Sequence, residues 1–194
     1  MGRYSAIITA FIFATALSSC REPAQPRPHG YFRIDLPEKK YMLYESPCPF
    51  TFEYPVYATI SPGDENDAEP CWINIEFPQY RSKIHLSYKK VNNNLPKLLE
   101  DTYTLTYNHT IKADAISETP FVNSDEQVFG VLYDLRGNTA TSLQFYLTDS
   151  INHFLRGSLY FHSSPNVDSL APVISFFRED ILKLIETTRW KSSK

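Results

Sequence analysis

Apolar and polar residues alternate along most of the chain between residues 31 and 162, and a period of two is typical of half-buried β-strands. Proline, glycine and asparagine residues interrupt the alternation and so mark the connections. Two connections predict hairpins: 79–82, and the turn Arg136-Gly137-Asn138, where Gly137 can supply a positive φ. The complete pattern predicts strands at 31–36, 41–44, 50–56, 71–77, 84–88, 113–118, 121–123, 127–135, 139–149 and 152–162.

A helical period replaces the alternation in two places. Apolar residues recur at helical spacing after a run of three asparagines, which predicts a helix over about 95–112. A second apolar stripe predicts a helix over 169–189, with Asp168 and Ser169 as its cap. The sequence therefore predicts one α+β domain, in which a mainly antiparallel β-sheet is covered by two helices.

The first twenty residues have the organisation of a bacterial export signal. Arg3 precedes an almost purely apolar run from Ala6 to Leu17, which is shorter than a membrane-spanning helix. The run ends in Leu17-Ser18-Ser19-Cys20, which is similar to a lipobox, where the cysteine receives a diacylglyceryl group and the chain is cut before it. We therefore predict that 1–19 is a cleaved signal peptide and that Cys20 carries a lipid. The alternative is an ordinary signal peptide in which the cysteine has no special role.

Residues 20–30 separate the predicted anchor from the predicted domain at 31–190. This segment contains three prolines and no large apolar side chain, so it predicts a flexible, extended tether. The whole chain has a formal net charge of −3, and its acidic and basic residues are interspersed. Because there is no run of lysine or arginine, the sequence predicts no nucleic-acid partner.

The other two cysteines, Cys48 and Cys71, are predicted to form a disulfide. Export would place them in a compartment that permits oxidation, and the third cysteine is reserved for the lipid. The alternative is a pair of buried thiols.

Motifs for catalysis or metal binding are not found in the sequence. The five histidines do not follow metal-ligand spacing, there is no G-x-S-x-G sequence, and six glycines leave little room for a phosphate-binding loop. We therefore predict no metal, no cofactor and no enzymatic activity.

Two alternatives stay open. One is a periplasmic enzyme, for which Glu53, Glu76, His85 and His109 would have to converge in a cleft. The other is a small-ligand or lipid-binding module with a large apolar cavity beneath the helices.

Three polar residues are candidates for contact with a protein partner. Arg136 and Asn138 lie in a predicted turn, and Arg156 lies on a strand of the adjacent predicted hairpin. Arginine is enriched at interface hot spots, so we expect these residues to present side chains to a partner.

Several segments of the domain match one family as a set, namely 30–37, 48–55, 71–75, 83–88, 114–116, 137–142, 154–161, 169–173 and 179–180. They resemble the gliding motility lipoprotein GldD family of the Bacteroidetes. The resemblance implies a cell-envelope lipoprotein that gliding motility and the linked type IX secretion machinery require, with other envelope proteins of those systems as partners. It implies no catalytic residues. A weaker fold analogy is to the PsbP-like fold, which implies nothing about function.

The residues after Cys20 also bear on location. Glu22 is the only acidic residue of the tether, so the tether lacks the acidic cluster that resembles a surface-export signal in this phylum. We expect a lipid-anchored domain that faces the periplasm, with the choice between inner and outer membrane open.

Overall fold

The strands and helices of the chain follow the two periods of its sequence. The computed structural model describes residues 34–63, 69–108, 113–162 and 167–191, so the predicted signal peptide, Cys20 and the predicted tether lie outside the described residues. The described helices are α1 (Leu95–Tyr107) and α2 (Val167–Thr187), with a short 3-10 helix at Pro78–Tyr80. The described strands are β1 (Tyr41–Tyr44), β2 (Phe50–Pro55), β3 (Thr59–Pro62), β4 (Ile73–Phe77), β5 (Ser82–Lys90), β6 (Ala113–Asn123), β7 (Val128–Gly137), β8 (Thr141–Thr148), β9 (His153–Phe161) and β10 (Arg189–Trp190).

Seven strands form an antiparallel sheet in the order β3-β4-β5-β9-β8-β7-β6. Short connections make neighbours of β4 and β5 and of the four strands from β6 to β9, as expected for hairpins. The chain segment that contains α1 runs from β5 to β6 at the edge of the sheet, and β9 then returns beside β5. Strand β9 therefore occupies the centre of the sheet.

The two faces of this sheet differ in character. Leu86, Phe145 and Leu155 are fully buried on the face that packs against α2. The opposite face carries α1, which packs through Leu98 against Phe154. Since successive residues of a strand point to opposite faces, each strand supplies the main core with one set of side chains and the α1 side with the other.

A second, three-stranded sheet covers the rest of the main core. Its order is β1-β2-β10, and all of its pairs are antiparallel. Phe50 and Phe52 of β2 are fully buried in the same core cluster as α2. The predicted fold class, α+β with mainly antiparallel sheet and two helices, is confirmed.

Cys48 and Cys71 form the disulfide that the sequence predicts. Their Cα atoms lie 5.6 Å apart, and Cys48 is buried in the main core. The bond links the segment before β2 to the segment before β4, so it connects the three-stranded sheet to the seven-stranded sheet.

The buried carboxylate of Asp180 on α2 binds side chains of the N-terminal segment, the part of the described chain that contains Lys39 and Tyr41. The Asp180 side chain is fully buried and accepts hydrogen bonds from Lys39 Nζ at 2.7 Å, Tyr41 Oη at 2.9 Å and Tyr57 Oη at 2.7 Å. Lys39 Nζ also donates to the Phe176 carbonyl and lies 3.3 Å from the centre of that residue's ring. Burial and the hydrogen bonds to Asp180 raise the pKa of both tyrosines.

Several boundaries differ from those the sequence predicts. Helix α1 ends at Tyr107, and residues 109–112 of the predicted helix lie outside the described residues. Helix α2 ends at Thr187 instead of 189, because Arg189 and Trp190 pair with β2. The described part of the first predicted strand, 34–36, is not a strand, and the two short runs at 113–123 form one strand. Strand β3 was not predicted.

We expect Asp180→Ala to lower the free energy of unfolding by about 3 kcal/mol, because it leaves Lys39 and two tyrosine hydroxyls without their acceptor. Chemical denaturation measures the loss. Glu179→Ala is the matched control, since this neighbouring carboxylate is 67% exposed and lies 4.0 Å from Lys39 Nζ. It should cost less than about 0.5 kcal/mol. Equal losses of stability in the two variants would contradict a stabilising role for the buried Asp180 carboxylate.

Reduction of the Cys48–Cys71 bond should lower the free energy of unfolding by about 3 kcal/mol, since the cross-link restricts the unfolded chain. Denaturation in urea with and without a reductant measures the change. The double variant Cys48→Ser, Cys71→Ser serves as the control, because the reductant should not affect its stability. A stability that is unchanged by reduction of the parent chain would refute this account.

Candidate functional site

The structure places Arg136 and Arg156 on opposite faces of the seven-stranded sheet. Arg156 pairs with Tyr146 across β9 and β8, whereas Leu143, three residues earlier on β8, pairs with Asp134 of β7. Because side chains alternate along β8, Asp134 and Arg136 lie on the α2 side, and Arg156 lies on the α1 side. The two arginines are therefore not brought together into one contact surface.

A cavity of about 420 Å³ lies between α1 and the sheet. Its apolar lining includes Trp72, Leu98, Leu105 and Phe154. Buried threonines on α1, Thr102 and Thr106, take the place of larger apolar side chains on the side of the helix that faces the sheet. The remaining residues that line the cavity are Ser87, Lys89, Asp101, Thr102, Thr104 and Arg156.

Arg156 is the half-buried cation of this cavity. Its Nη2 atom donates a hydrogen bond of 2.7 Å to Gln144 Oε1, while its buried Nε has no hydrogen-bond partner. Among the described residues, no carboxylate forms an ion pair with it. Burial lowers the pKa of this guanidinium, but an arginine remains charged at physiological pH. The cavity therefore contains a guanidinium that forms no ion pair with a carboxylate of the described chain.

Gln144 holds Arg156 in place through a buried hydrogen-bond network. Gln144 is 1% exposed, and its Nε2 donates to Thr141 Oγ1 at 2.7 Å. Its Oε1 accepts from Arg156 and, at 3.4 Å, from Thr106 Oγ1 of α1. The amide thus connects β8, β9 and α1 at the sheet side of the cavity. The sequence shows no sign of this role, because alternation alone does not reveal that a glutamine is buried.

The other charges of the cavity lining lie nearer to solvent. Lys89 forms an ion pair of 3.2 Å with Glu69, and its Nζ lies 5.6 Å from the centre of the Trp72 ring. Asp101 is exposed on α1. With an apolar wall and one desolvated cation, this arrangement is suited to binding.

A second cavity, of about 660 Å³, lies on the other face, between β6, β7 and α2. Arg136 lines it and is exposed, whereas Arg178 forms two hydrogen bonds with Asp134, at 2.9 and 3.2 Å. Asn138 is exposed in the turn after β7, and Gly137 has the expected positive φ of 115°. A partner role for Arg136, Asn138 and Arg156 stays a prediction.

The described residues that were considered for catalysis form ion pairs or hydrogen bonds at separate places in the fold. Glu53 forms an ion pair of 3.0 Å with Lys183, and the Glu76 carboxylate accepts a hydrogen bond from Ser61. His85 Nδ1 lies 2.8 Å from Asn74 Oδ1. His109 lies outside the described residues. None of the three described candidates lines either cavity.

The histidines of the described chain also have structural contacts. The ring of His153 is buried, stacks on Trp190 and contacts the Tyr88 hydroxyl at 2.8 Å. Burial lowers its pKa. Within the described ranges, no three His, Cys, Asp or Glu residues cluster in a way that could hold a metal ion. The same part of the chain contains no helix with the length and apolar composition needed to cross a membrane.

Comparisons with known proteins give one family. A family model described as gliding motility lipoprotein GldD matches residues 21–190. Among solved structures, the fold is similar to the solution structure of cyanobacterial PsbP (CyanoP) from Synechocystis sp. PCC 6803. The TM-score is 0.48 at 10% sequence identity, over 82% of this chain and 97% of that chain. No curated protein matches the sequence.

Gln144→Leu should lower the free energy of unfolding by about 2–3 kcal/mol, because it removes the acceptor of Arg156 and the partners of two threonines. Thermal and chemical denaturation measure the loss. The matched control is Gln79→Leu at an exposed position in the 3-10 helix, which should shift stability by less than about 0.5 kcal/mol. If Gln144→Leu were as stable as the control, the network would not hold the site.

Proposed function

Because the chain belongs to the gliding motility lipoprotein GldD family, we propose that it is a membrane-anchored, non-enzymatic component of the gliding machinery and of the linked type IX secretion machinery. The family match over residues 21–190 carries this proposal. The predicted lipid on Cys20 and the absence of catalytic motifs in the sequence support it.

Positioning is the mechanism of this function. Two or more acyl chains on Cys20 would bind a membrane firmly, whereas a single chain binds only marginally. A proline-rich tether over residues 20–30 would extend by roughly 3 Å per residue, which keeps the domain within a few nanometres of the bilayer. Such confinement raises the effective concentration of the domain for partners at the same membrane.

The part of the domain that follows the predicted tether in the sequence is bound firmly to α2. Lys39 and Tyr41 lie near the start of the described chain, and both side chains bind the buried Asp180 carboxylate. Tyr57, after β2, binds the same carboxylate. Tension that reaches the domain through its N-terminal segment would therefore act on a charged, buried contact with α2.

The disulfide supports an exported location, since such bonds persist in oxidising compartments. We infer a domain that faces the periplasm, because the tether lacks an acidic cluster. The partners are other envelope proteins of the gliding and secretion systems.

A second function, binding of a small ligand, is favoured by the cavity beneath α1. Its volume, and an apolar surface from Trp72, Leu98, Leu105 and Phe154 beside six polar or charged residues, are typical of small-molecule sites. Ligand binding and anchoring are compatible. An enzymatic role has no comparable support, because Glu53, Glu76 and His85 lie outside both cavities.

Cys20→Ser should release the protein from the membrane fraction and weaken motility or secretion, because it removes the thiol that receives the lipid. Fractionation of the envelope and measurement of cell spreading and secreted protein test this. Glu22→Ala, two residues away in the tether, is the control and should remain at the membrane with full activity. A Cys20→Ser protein that stays bound and active would overturn the proposal.

A further inference from the structure

We propose that the cavity beneath α1 binds a small amphipathic carboxylate, with the acidic group on Arg156 and the apolar body against Trp72 and Phe154. The ligand is a single molecule with one carboxylate and an aliphatic portion, such as a medium-chain fatty acid. This inference rests on the ligand-binding function proposed for the cavity, and it does not depend on membrane anchoring or on the role in motility.

The unneutralised charge is the first argument. Buried and half-buried cations are normally paired, because loss of hydration without a counter-charge is costly. Arg156 has one hydrogen bond, to a neutral amide, and its Nε–H has no acceptor. A guanidinium presents its donors in a planar fork that matches the two oxygens of a carboxylate. A bound carboxylate would supply the counter-charge that the guanidinium lacks.

The shape and lining of the cavity are the second argument. A volume of about 420 Å³ exceeds what a simple inorganic anion needs. Trp72, Leu98, Leu105 and Phe154 provide an apolar surface next to the cation. The ligand that matches both features has an acidic group and an apolar body.

The distribution of the other charges favours a single negative charge on the ligand. Lys89 is already paired with Glu69, so it does not add a free positive charge. Asp101 lines the cavity with an unpaired carboxylate within the described chain, although solvent screens it. A doubly charged phosphate group would meet more repulsion from Asp101 than a monoanionic carboxylate would.

Calorimetric titration of the mature chain, residues 20–194, with decanoate tests the proposal. The protein carries Cys20→Ser, so that no lipid of its own competes, and the titration is done without detergent and below the micelle concentration of decanoate. We expect saturable binding of one decanoate per chain. Decanol, which has the same apolar body without the charge, should bind roughly tenfold more weakly or worse.

Two variants locate the site, and one matched variant controls for charge. Arg156→Gln should weaken decanoate binding by roughly tenfold or more, whereas Arg136→Gln, on the opposite face, should leave it unchanged. Leu105→Trp changes a half-exposed residue of the cavity lining and should weaken binding by filling the space while Arg156 stays intact. Thermal unfolding verifies that each variant is folded. Should Arg156→Gln fail to fold, Leu105→Trp still decides the location.

Three results would overturn the inference. The first is no binding of decanoate, and the second is binding that neither Arg156→Gln nor Leu105→Trp weakens. The third is tighter binding of decyl phosphate than of decanoate, which would reject a carboxylate as the ligand group.

Discussion

Strand β9 lies at the centre of the seven-stranded sheet. Its side chains point alternately into the main core and towards α1. Leu155 and Leu159 point into the main core and are fully buried, whereas Phe154 and Arg156 point towards α1. Gly157 shows how tight the core side is, because a Cβ atom there would lie 2.2 Å from the Phe145 ring. The ring of Phe145 crosses β9 where Gly157 has no side chain. The alternation that builds the core therefore also forces Arg156 onto the other face.

The division between faces explains which features of the fold could be predicted from the sequence. The hairpins from β6 to β9 follow directly from alternation and turn residues, and α2 follows from its apolar stripe. Strands β3 and β10 do not, because both are short, and β10 pairs with the much earlier strand β2. Trp190 illustrates this: it pairs with Phe50, and its Nε1 donates to the Gln127 carbonyl, 63 residues earlier. A helical period at 169–189 cannot reveal that such contacts end the helix at Thr187.

The candidate site was less predictable than the fold, for a geometric reason. Whether Arg136 and Arg156 share a face depends on the number of residues in the turn and on the pairing of β8 with β9. The register of that pairing shifts between Thr141 and Gln144, and the residue types do not predict the shift. The cavity itself depends on Thr102, whose small side chain leaves space where α1 approaches the sheet. Threonines at helical spacing predict a buried helix face, but they do not predict the volume beside it.

The same two-sided organisation separates the attachment of the N-terminal segment from the cavity. Lys39 and Tyr41 bind Asp180 of α2, so the described part of this segment packs on the core side of the molecule. None of its residues lines the cavity beneath α1. An interaction through the tether and a ligand on Arg156 would thus use different elements of the fold. Because β9 contributes Leu155 to the core and Arg156 to the cavity, the central strand joins the two sides directly.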